Sequence, residues 1–202
     1  MFRFFESIAM ANGIPRNLFF HQARVDKTFK HFYPKSESHH LEYLLSKLEI
    51  KNAPLVKCKF SYNDTIFKFY QSIYTKKIFT SFQMIQADTL EYSFKFTDRS
   101  SIDKLLKHIP LDHQAIFIKK KFITDSGFSN LIFFDGYRWL TPARPLLAGT
   151  MRASLLSEMS IHEENIEPKH LRLFKSFKLI NALNSFENET EYPIASIQSG
   201  II

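Results

Sequence analysis

Short apolar segments separated by turn residues follow one another just beyond the middle of the chain, and this pattern constrains the fold more than any other feature. The segments AIFIKK, FIT, NLIFF and YRWLT follow one another between Ala115 and Thr141. Asp135 and Gly136 separate the last two, and an Asp-Gly pair between apolar segments is typical of a tight β-hairpin. We therefore predict a sheet of short strands in this region.

The first part of the chain predicts helices followed by strands. Apolar residues recur near a 3.6 period over Leu18–Phe32, which indicates an amphipathic helix, and residues 40–48 resemble a second one. From Leu55 the segments VKCKFSY and IFKFYQSI alternate apolar and polar residues around an Asn-Asp turn. A strand at residues 78–85 is expected to join the same sheet.

These segments predict an α+β protein with two parts. Residues 1–87 would form a small N-terminal α/β domain, and residues 88–202 a C-terminal, β-rich domain. The second part begins with the segment 90–96, and we also expect helices at 102–108, 151–159 and 168–177 and a final strand in FKLINAL. The polar tail after Phe186 lacks periodicity and is expected to be partly disordered.

Composition narrows the class of function. The chain of 202 residues has 27 Lys+Arg against 20 Asp+Glu, a net charge of +7. These charges are scattered, which favours an anionic small-molecule substrate over nucleic acid. Cys58 is the single cysteine, and the eight histidines lack zinc spacing, so we expect neither a disulfide nor a metal site. Charged residues interrupt the first twenty positions, and we expect a cytoplasmic protein without a membrane span.

Four short motifs carry residues suited to binding a phosphorylated cofactor. Lys95 lies among aromatic residues in YSFKFTDR, and Asp125 precedes Asn130 by five positions in DSGFSNLIF. PLLAGTMR places Gly149 before a predicted helix, whose first N–H groups favour an anion. Arg24 ends HQAR on the first predicted helix. Taken alone, each motif is more often an ordinary surface lysine, turn or helix start. Only the order of the motifs along the chain favours one shared site.

In that order and at similar separations, the motifs resemble those of the fold-type IV pyridoxal-phosphate enzymes, the class IV aminotransferase and aminodeoxychorismate lyase family. The resemblance covers about residues 4–183. It implies a D-amino-acid-aminotransferase-like fold, with a small N-terminal α/β layer and a C-terminal pseudo-barrel domain. It also implies pyridoxal 5'-phosphate as cofactor and a homodimer, to which the 22 Phe would contribute interface area.

The resemblance also assigns roles to residues. Lys95 matches the lysine that binds the cofactor covalently. Asp125, with Asn130, matches the family's E-x-x-x-x-N pattern, whose carboxylate pairs with the pyridine nitrogen; the family more often has Glu there. Gly149, with the N–H groups of Thr150 and Met151, matches the phosphate-binding loop. Arg24 matches the arginine of the family's H-x-x-R motif, which reaches the same phosphate.

Finer similarities favour the lyase branch, which converts 4-amino-4-deoxychorismate to 4-aminobenzoate and pyruvate in folate synthesis. They are the K-x-x-x-R motif that ends at Arg99, the sequence GTMR, and the NAL triplet that begins at Asn181. Ser7 lies where the family has Thr or Ser near the cofactor and is a candidate proton donor. Arg99 is expected either to orient a substrate carboxylate or to stabilise its loop.

Two other functions remain open on the sequence. One is a class IV aminotransferase acting on a D- or branched-chain amino acid, in which Lys95 would move a proton between substrate and cofactor. The other is a cofactor-less RNA-binding module that uses basic and aromatic residues, although no stacking motif of the known RNA-binding type is present.

Overall fold

The computed structural model describes residues 2–201, which form two compact units. The first unit comprises the chain up to Thr75 together with Phe94–Asp98, and the second comprises Lys76–Ser93 and the chain from Arg99 onward. The chain therefore returns once to the first unit, and this return contains Lys95. The boundary that the sequence predicts, after residue 87, falls inside the second unit.

The first unit is an antiparallel sheet with two helices. Its elements are the strands β1 (Phe4–Ala11), β2 (Ile14–Pro15), β3 (Leu55–Tyr62) and β4 (Phe67–Ile73), and the helices α1 (Leu18–Phe32) and α2 (Leu41–Ser46). The strand order is β2-β1-β3-β4. Asn63 Oδ1 accepts N–H bonds from Thr65 and Ile66, which fixes the turn between β3 and β4. These helices and strands agree with the sequence pattern.

The two faces of this sheet differ, because successive side chains of a strand point to opposite sides. One face of β1 and β3 is buried against α1 and α2, and its core includes Phe4, Ile8, Val25, Phe29, Leu41, Cys58 and Phe60. On the other face, Ser7 of β1 lies opposite Lys59 of β3, and Phe5 opposite Ser61. That second face is half-buried and polar.

The second unit is built mainly from a larger mixed sheet. Its strands are β5 (Ser81–Gln86), β6 (His113–Lys119), β7 (Phe122–Ser126), β8 (Asn130–Phe134), β9 (Trp139–Pro142), β10 (Ile161–Glu164), β11 (Ser176–Ile180), β12 (Glu191–Pro193) and β13 (Ile197–Ile201). Its α-helices are α3 (Ser100–Leu106) and α4 (Thr150–Ser157), and 3-10 helices cover Pro168–Leu173 and Ile194–Ser196.

The strand order of the larger sheet is β10-β9-β8-β7-β6-β5-β13, and β11 pairs with both β8 and β12. The predicted hairpin is present between β8 and β9, where Asp135 Oδ1 accepts the N–H groups of Tyr137 and Arg138. Aromatic and branched side chains fill the core, with Phe82, Ile116 and Phe133 among its fully buried members.

The predicted sheet of β5 and the predicted disorder of the tail are wrong for long-range reasons. Strand β5 pairs with β6 in the second unit, not with the first sheet. Residues 90–96 form no regular strand, since Leu90 and Tyr92 are buried in the second unit whereas Phe94 and Phe96 pack on the core of the first. The tail is ordered by pairing, because β12 joins β11 and β13 joins β5.

Within residues 2–201, no helix combines the length and the apolar character needed to span a membrane.

Candidate active site

Lys95 lies in the segment that returns to the first unit, beside β1. The N–H of Phe5 donates to the Lys95 carbonyl at 3.0 Å, and the N–H of Thr97 donates to the Arg3 carbonyl at 2.9 Å. The Lys95 side chain is half-buried, and its Nζ lies 4.8 Å from the centroid of the Phe5 ring. Hydrogen bonds to β1 at and just after Lys95 therefore hold its backbone in place.

Arg24 is held by a buried carboxylate in the same unit. Its Nε and Nη2 donate to the two oxygens of Glu6 at 2.8 and 2.5 Å, and Nδ1 of His21 lies 2.6 Å from Glu6 Oε2. Glu6 and His21 are fully buried. This forked, charge-assisted contact fixes the guanidinium on the side of α1 that faces β1.

The environment sets the charge of this cluster. Burial by itself raises the pKa of Glu6, but the charge of Arg24 and the contact with His21 outweigh it and lower the pKa to about 2. Burial lowers the pKa of His21, more than Glu6 raises it. A neutral His21 therefore donates from Nδ1 to an ionised Glu6.

Glu6 was not predicted as a site residue, although the sequence contained a signal for it. It alternates with Phe4 and Ile8 on the buried face of β1. A carboxylate at a core position requires a partner, and the two partners come from one face of α1, three residues apart.

Ser7 lies on the opposite face of β1 from Glu6. It is half-buried and opposite Lys59. The Nζ of Lys59 lies 4.9 Å from the centroid of the Phe5 ring, the same ring that Lys95 contacts. Ser7, Lys59 and Lys95 thus share the polar face of the first sheet.

Asp125 is the centre of a hydrogen-bond network in the second unit. It pairs in register with Asn130 across the β7–β8 turn, and Asn130 Nδ2 donates to Asp125 Oδ1 at 2.9 Å. The N–H of Leu147 donates to Asp125 Oδ2 at 2.9 Å, and Asn130 Nδ2 also donates to the Leu147 carbonyl at 2.8 Å. The five-residue spacing in the sequence therefore produces direct contact.

The Asp125 carboxyl group is buried and is bonded to neutral donors. Among the residues that the structure describes, it forms neutral hydrogen bonds and no ion pair, while nearby Arg152 is engaged with Glu163 and the Pro142 carbonyl. Burial raises the pKa of Asp125 to about 7, against the lowering effect of its hydrogen bonds and the charge of Arg152. A cation placed at this carboxylate would oppose that rise.

Gly149 brings the start of α4 against this network. A Cβ atom at Gly149 would lie 2.0 Å from Asn130 Oδ1, so only glycine allows this approach. Gly149 is the N-cap of α4, and Thr150 and Met151, its first two residues, are buried. The positive end of a helix dipole thus lies beside the loop that holds Asp125.

Arg99 makes a contact with the main chain. Its Nη2 donates to the Gly127 carbonyl at 2.6 Å, in the turn that follows Asp125, and its guanidinium lies 5.7 Å from the Tyr92 ring centroid. Arg99 therefore stabilises the β7–β8 turn.

The structure thus groups the predicted residues in two sets. Arg24, Ser7 and Lys95 lie on or beside β1 in the first unit, and Asp125, Asn130 and Gly149 are in direct contact in the second, followed by Thr150 and Met151. No set of His, Cys, Asp and Glu side chains within the described residues is arranged to hold a metal ion.

Comparison with known proteins identifies the family. Residues 110–187 match the model of the family "Amino-transferase class IV". An uncharacterized protein of Haemophilus influenzae is 34% identical over 187 residues, which are 91% of this chain and 99% of the relative.

Two solved structures extend the comparison. A Haemophilus somnus protein, provisionally assigned as a 4-amino-4-deoxychorismate lyase, is 32% identical and superposes with a TM-score of 0.86 over 92% of this chain and 98% of its own. A hypothetical aminotransferase of Mycobacterium tuberculosis, in its PLP-bound form, has a TM-score of 0.72 at 12% identity and covers 96% of this chain and 81% of its own. The second likeness concerns the fold alone. With its α+β sheets, the matched family model and a near-full-length relative above 30% identity, this chain belongs to the class IV aminotransferase family of fold-type IV enzymes.

Proposed function

We propose that this enzyme is a pyridoxal-phosphate-dependent lyase that converts 4-amino-4-deoxychorismate to 4-aminobenzoate and pyruvate. One observation carries the proposal: the relative assigned to this reaction is 32% identical across nearly the whole of both chains. The aminotransferase of Mycobacterium tuberculosis, at 12% identity, bears on the fold and not on the reaction.

The residues present suit pyridoxal phosphate. Lys95 offers an amine for covalent attachment. Asp125 offers a buried carboxylate that has neutral hydrogen-bond donors and no cation beside it among the described residues. Gly149 lets the start of α4 approach Asn130 closely, where a side chain would collide with it, and a helix start favours phosphate. When bound, this cofactor supplies an electrophilic carbon for the substrate amine and a ring that accepts electrons.

Asp125 and Lys95 then have distinct tasks. An ionised Asp125 would hold the proton on the ring nitrogen, and the positive charge there would in turn lower the pKa of this carboxyl group. The amine of Lys95 would accept the proton from C4 of the substrate ring, the carbon that bears the reacting amine. We assign phosphate binding to the N–H groups of Thr150 and Met151 and to Arg24, which Glu6 orients.

We assign the transfer of a second proton to Ser7. Loss of pyruvate requires a proton on the methylene carbon of the departing enolpyruvyl group, and the Ser7 hydroxyl shares its sheet face with Lys95 through Phe5. The C4 proton lost and the methylene proton gained balance, so the reaction needs no oxidant or reductant. Arg99 acts by stabilising the turn after Asp125.

Purified protein incubated with pyridoxal phosphate tests the proposal. We expect a visible absorbance band that Lys95→Ala abolishes and that Lys68→Ala, a change at an exposed lysine of β4, retains. Addition of 4-amino-4-deoxychorismate should then release 4-aminobenzoate and pyruvate in equal amounts.

Two outcomes would contradict the proposal. Amino acids that convert the bound cofactor to its amine form, without pyruvate release from 4-amino-4-deoxychorismate, would identify an aminotransferase. A band that survives in Lys95→Ala, or that is missing from the wild-type protein, would reject the cofactor assignment itself.

A further inference from the structure

The polar face of the first sheet presents a second lysine beside Lys95. The amines of Lys59 and Lys95 lie 4.9 and 4.8 Å from the centroid of the same Phe5 ring. The two lysines belong to different elements, since Lys59 lies on β3 and Lys95 in the segment beside β1. One aromatic ring thus organises two ammonium groups.

The neighbouring strand positions around Lys59 include other lysines and no acid. The register places Lys57, Lys59 and Ser61 of β3 opposite Ala9, Ser7 and Phe5 of β1, and Ser72, Tyr70 and Lys68 of β4 on their other side. Among these positions there is neither Asp nor Glu. The acidic residue of β1, Glu6, points to the other face, where Arg24 and His21 bind it.

Lys59 is also partly shielded from solvent. Its side chain is half-buried, and within the described residues no carboxylate lies at ion-pair distance from it. Burial of an ammonium group without a counter-ion is unfavourable, so the arrangement favours a bound anion. The Ser7 hydroxyl opposite Lys59 adds a hydrogen-bond donor suited to the same anion.

We infer that Lys59 binds a carboxylate of the substrate that is remote from its reacting amine, and thereby selects dianionic substrates. The inference rests on the proposed function, because it takes Lys95 as the residue that binds the cofactor. It extends that function by adding a specificity residue that the family motifs do not include.

The test uses chorismate as a probe, since it carries both carboxylates but a hydroxyl group in place of the amine. Binding is measured by calorimetry for wild type, Lys59→Met, Lys59→Arg and Lys68→Met. Methionine keeps the length of the side chain and removes the charge, whereas arginine keeps the charge. Lys68, exposed on the same face, is the matched control.

We expect Lys59→Met to weaken chorismate binding, and to raise KM for 4-amino-4-deoxychorismate, by roughly 10- to 100-fold, the scale of a lost charge-assisted hydrogen bond. The value of kcat should change little, because the interaction is present in both ground and transition states. Lys59→Arg should recover most of the affinity, and Lys68→Met should behave as wild type.

A second readout does not depend on catalysis or on the folding of any variant. Acetic anhydride labelling of wild-type protein, followed by peptide mass spectrometry, should show that chorismate protects Lys59 but leaves Lys68 reactive. Equal labelling of Lys59 with and without chorismate, or an unchanged KM in a folded Lys59→Met, overturns the inference while lyase activity stands. Failure of the proposed function has a different signature, namely no cofactor band that depends on Lys95.

Discussion

Asp125→Asn tests whether the buried carboxylate serves a bound cation or the fold. In cofactor-free protein the pKa of Asp125 is raised from 3.8 to about 7, chiefly by burial. At 1.36 kcal/mol per pKa unit this corresponds to roughly 4 kcal/mol of stability. A carboxyl group with a raised pKa stabilises the fold fully below its unfolded pKa, and this contribution is lost as pH rises through the folded pKa.

Wild-type protein should therefore lose stability as pH rises between the two pKa values. Asp125→Asn lacks the titrating carboxyl group and should not show this loss. By linkage, the difference between their free energies of unfolding should change by roughly 3 kcal/mol in favour of the variant between about pH 5 and pH 8.5. The variant's absolute stability also falls at every pH, because one amide oxygen replaces two acceptors and leaves the N–H of Leu147 or the amide of Asn130 unsatisfied. Only the pH-dependent part of the difference in free energy of unfolding reports the effect of the Asp125 charge.

Urea unfolding of cofactor-free wild type, Asp125→Asn and Asp103→Asn at several pH values measures this pH-dependent difference. Asp103 is an exposed carboxylate control on α3. Parallel pH profiles for wild type and Asp125→Asn would refute the reasoning. The same variant should lose at least about 100-fold in kcat when loaded with cofactor, the scale of one preorganised electrostatic group. A difference in free energy of unfolding that moves in favour of the variant as pH rises, together with loss of activity, is the pattern of a residue kept for function.

Two further changes test the supports of the site. Gly149→Ala should destabilise the protein by about 1–3 kcal/mol, because Asn130 must move away from a Cβ atom 2.0 Å from its oxygen; Asn130→Ala in the same chain should remove most of that extra cost in a double-mutant cycle followed by urea unfolding. Arg24→Lys should lower cofactor affinity and lower the free energy of unfolding by about 1–2 kcal/mol, since an ammonium group loses the forked contact with Glu6. Equal affinities of variant and wild type in cofactor titrations followed by absorbance would contradict this.

The local pattern predicted those elements that bury a face within their own unit. Helix α1 and strands β3 and β4 have an apolar side that contacts neighbours close in sequence, so their periodicity is sufficient. Strand β5 was assigned to the wrong sheet, because its partner is β6, about thirty residues later, and alternation contains no information on pairing. The prediction of a partly disordered tail was wrong for the same reason, since β13 pairs with β5.

The site was predictable where contact follows from short spacing. Asp125 and Asn130 flank one turn, so they face each other across β7 and β8. The Leu147 N–H that completes the network comes from a loop beyond β9, and no pattern indicated it. Lys59 went unnoticed because a lysine in an alternating strand resembles any solvent-facing residue; only the register placed it opposite Ser7.

Glu6 and Asp125 show how the same burial leads to opposite charge behaviour, and Glu6→Gln tests the contrast. Both carboxyl groups are buried, but Glu6 has Arg24 and His21 beside it whereas Asp125 has neutral donors. With its pKa lowered from 4.5 to about 2, Glu6 stabilises the fold above the unfolded pKa and loses that contribution as pH falls through about 2.

Glu6→Gln should accordingly cost about 3 kcal/mol near neutral pH, because it leaves a largely buried guanidinium without a counter-ion, and the cost should shrink as acid protonates Glu6 in the wild type. Urea unfolding between about pH 2.5 and pH 7 measures this trend, and a cost independent of pH would contradict it. The two variants should thus shift stability in opposite directions as pH rises, the Glu6 variant losing relative to wild type and the Asp125 variant gaining. A carboxylate supplied with its cation by the chain serves the fold, while one buried without a cation is suited to receive it from a ligand.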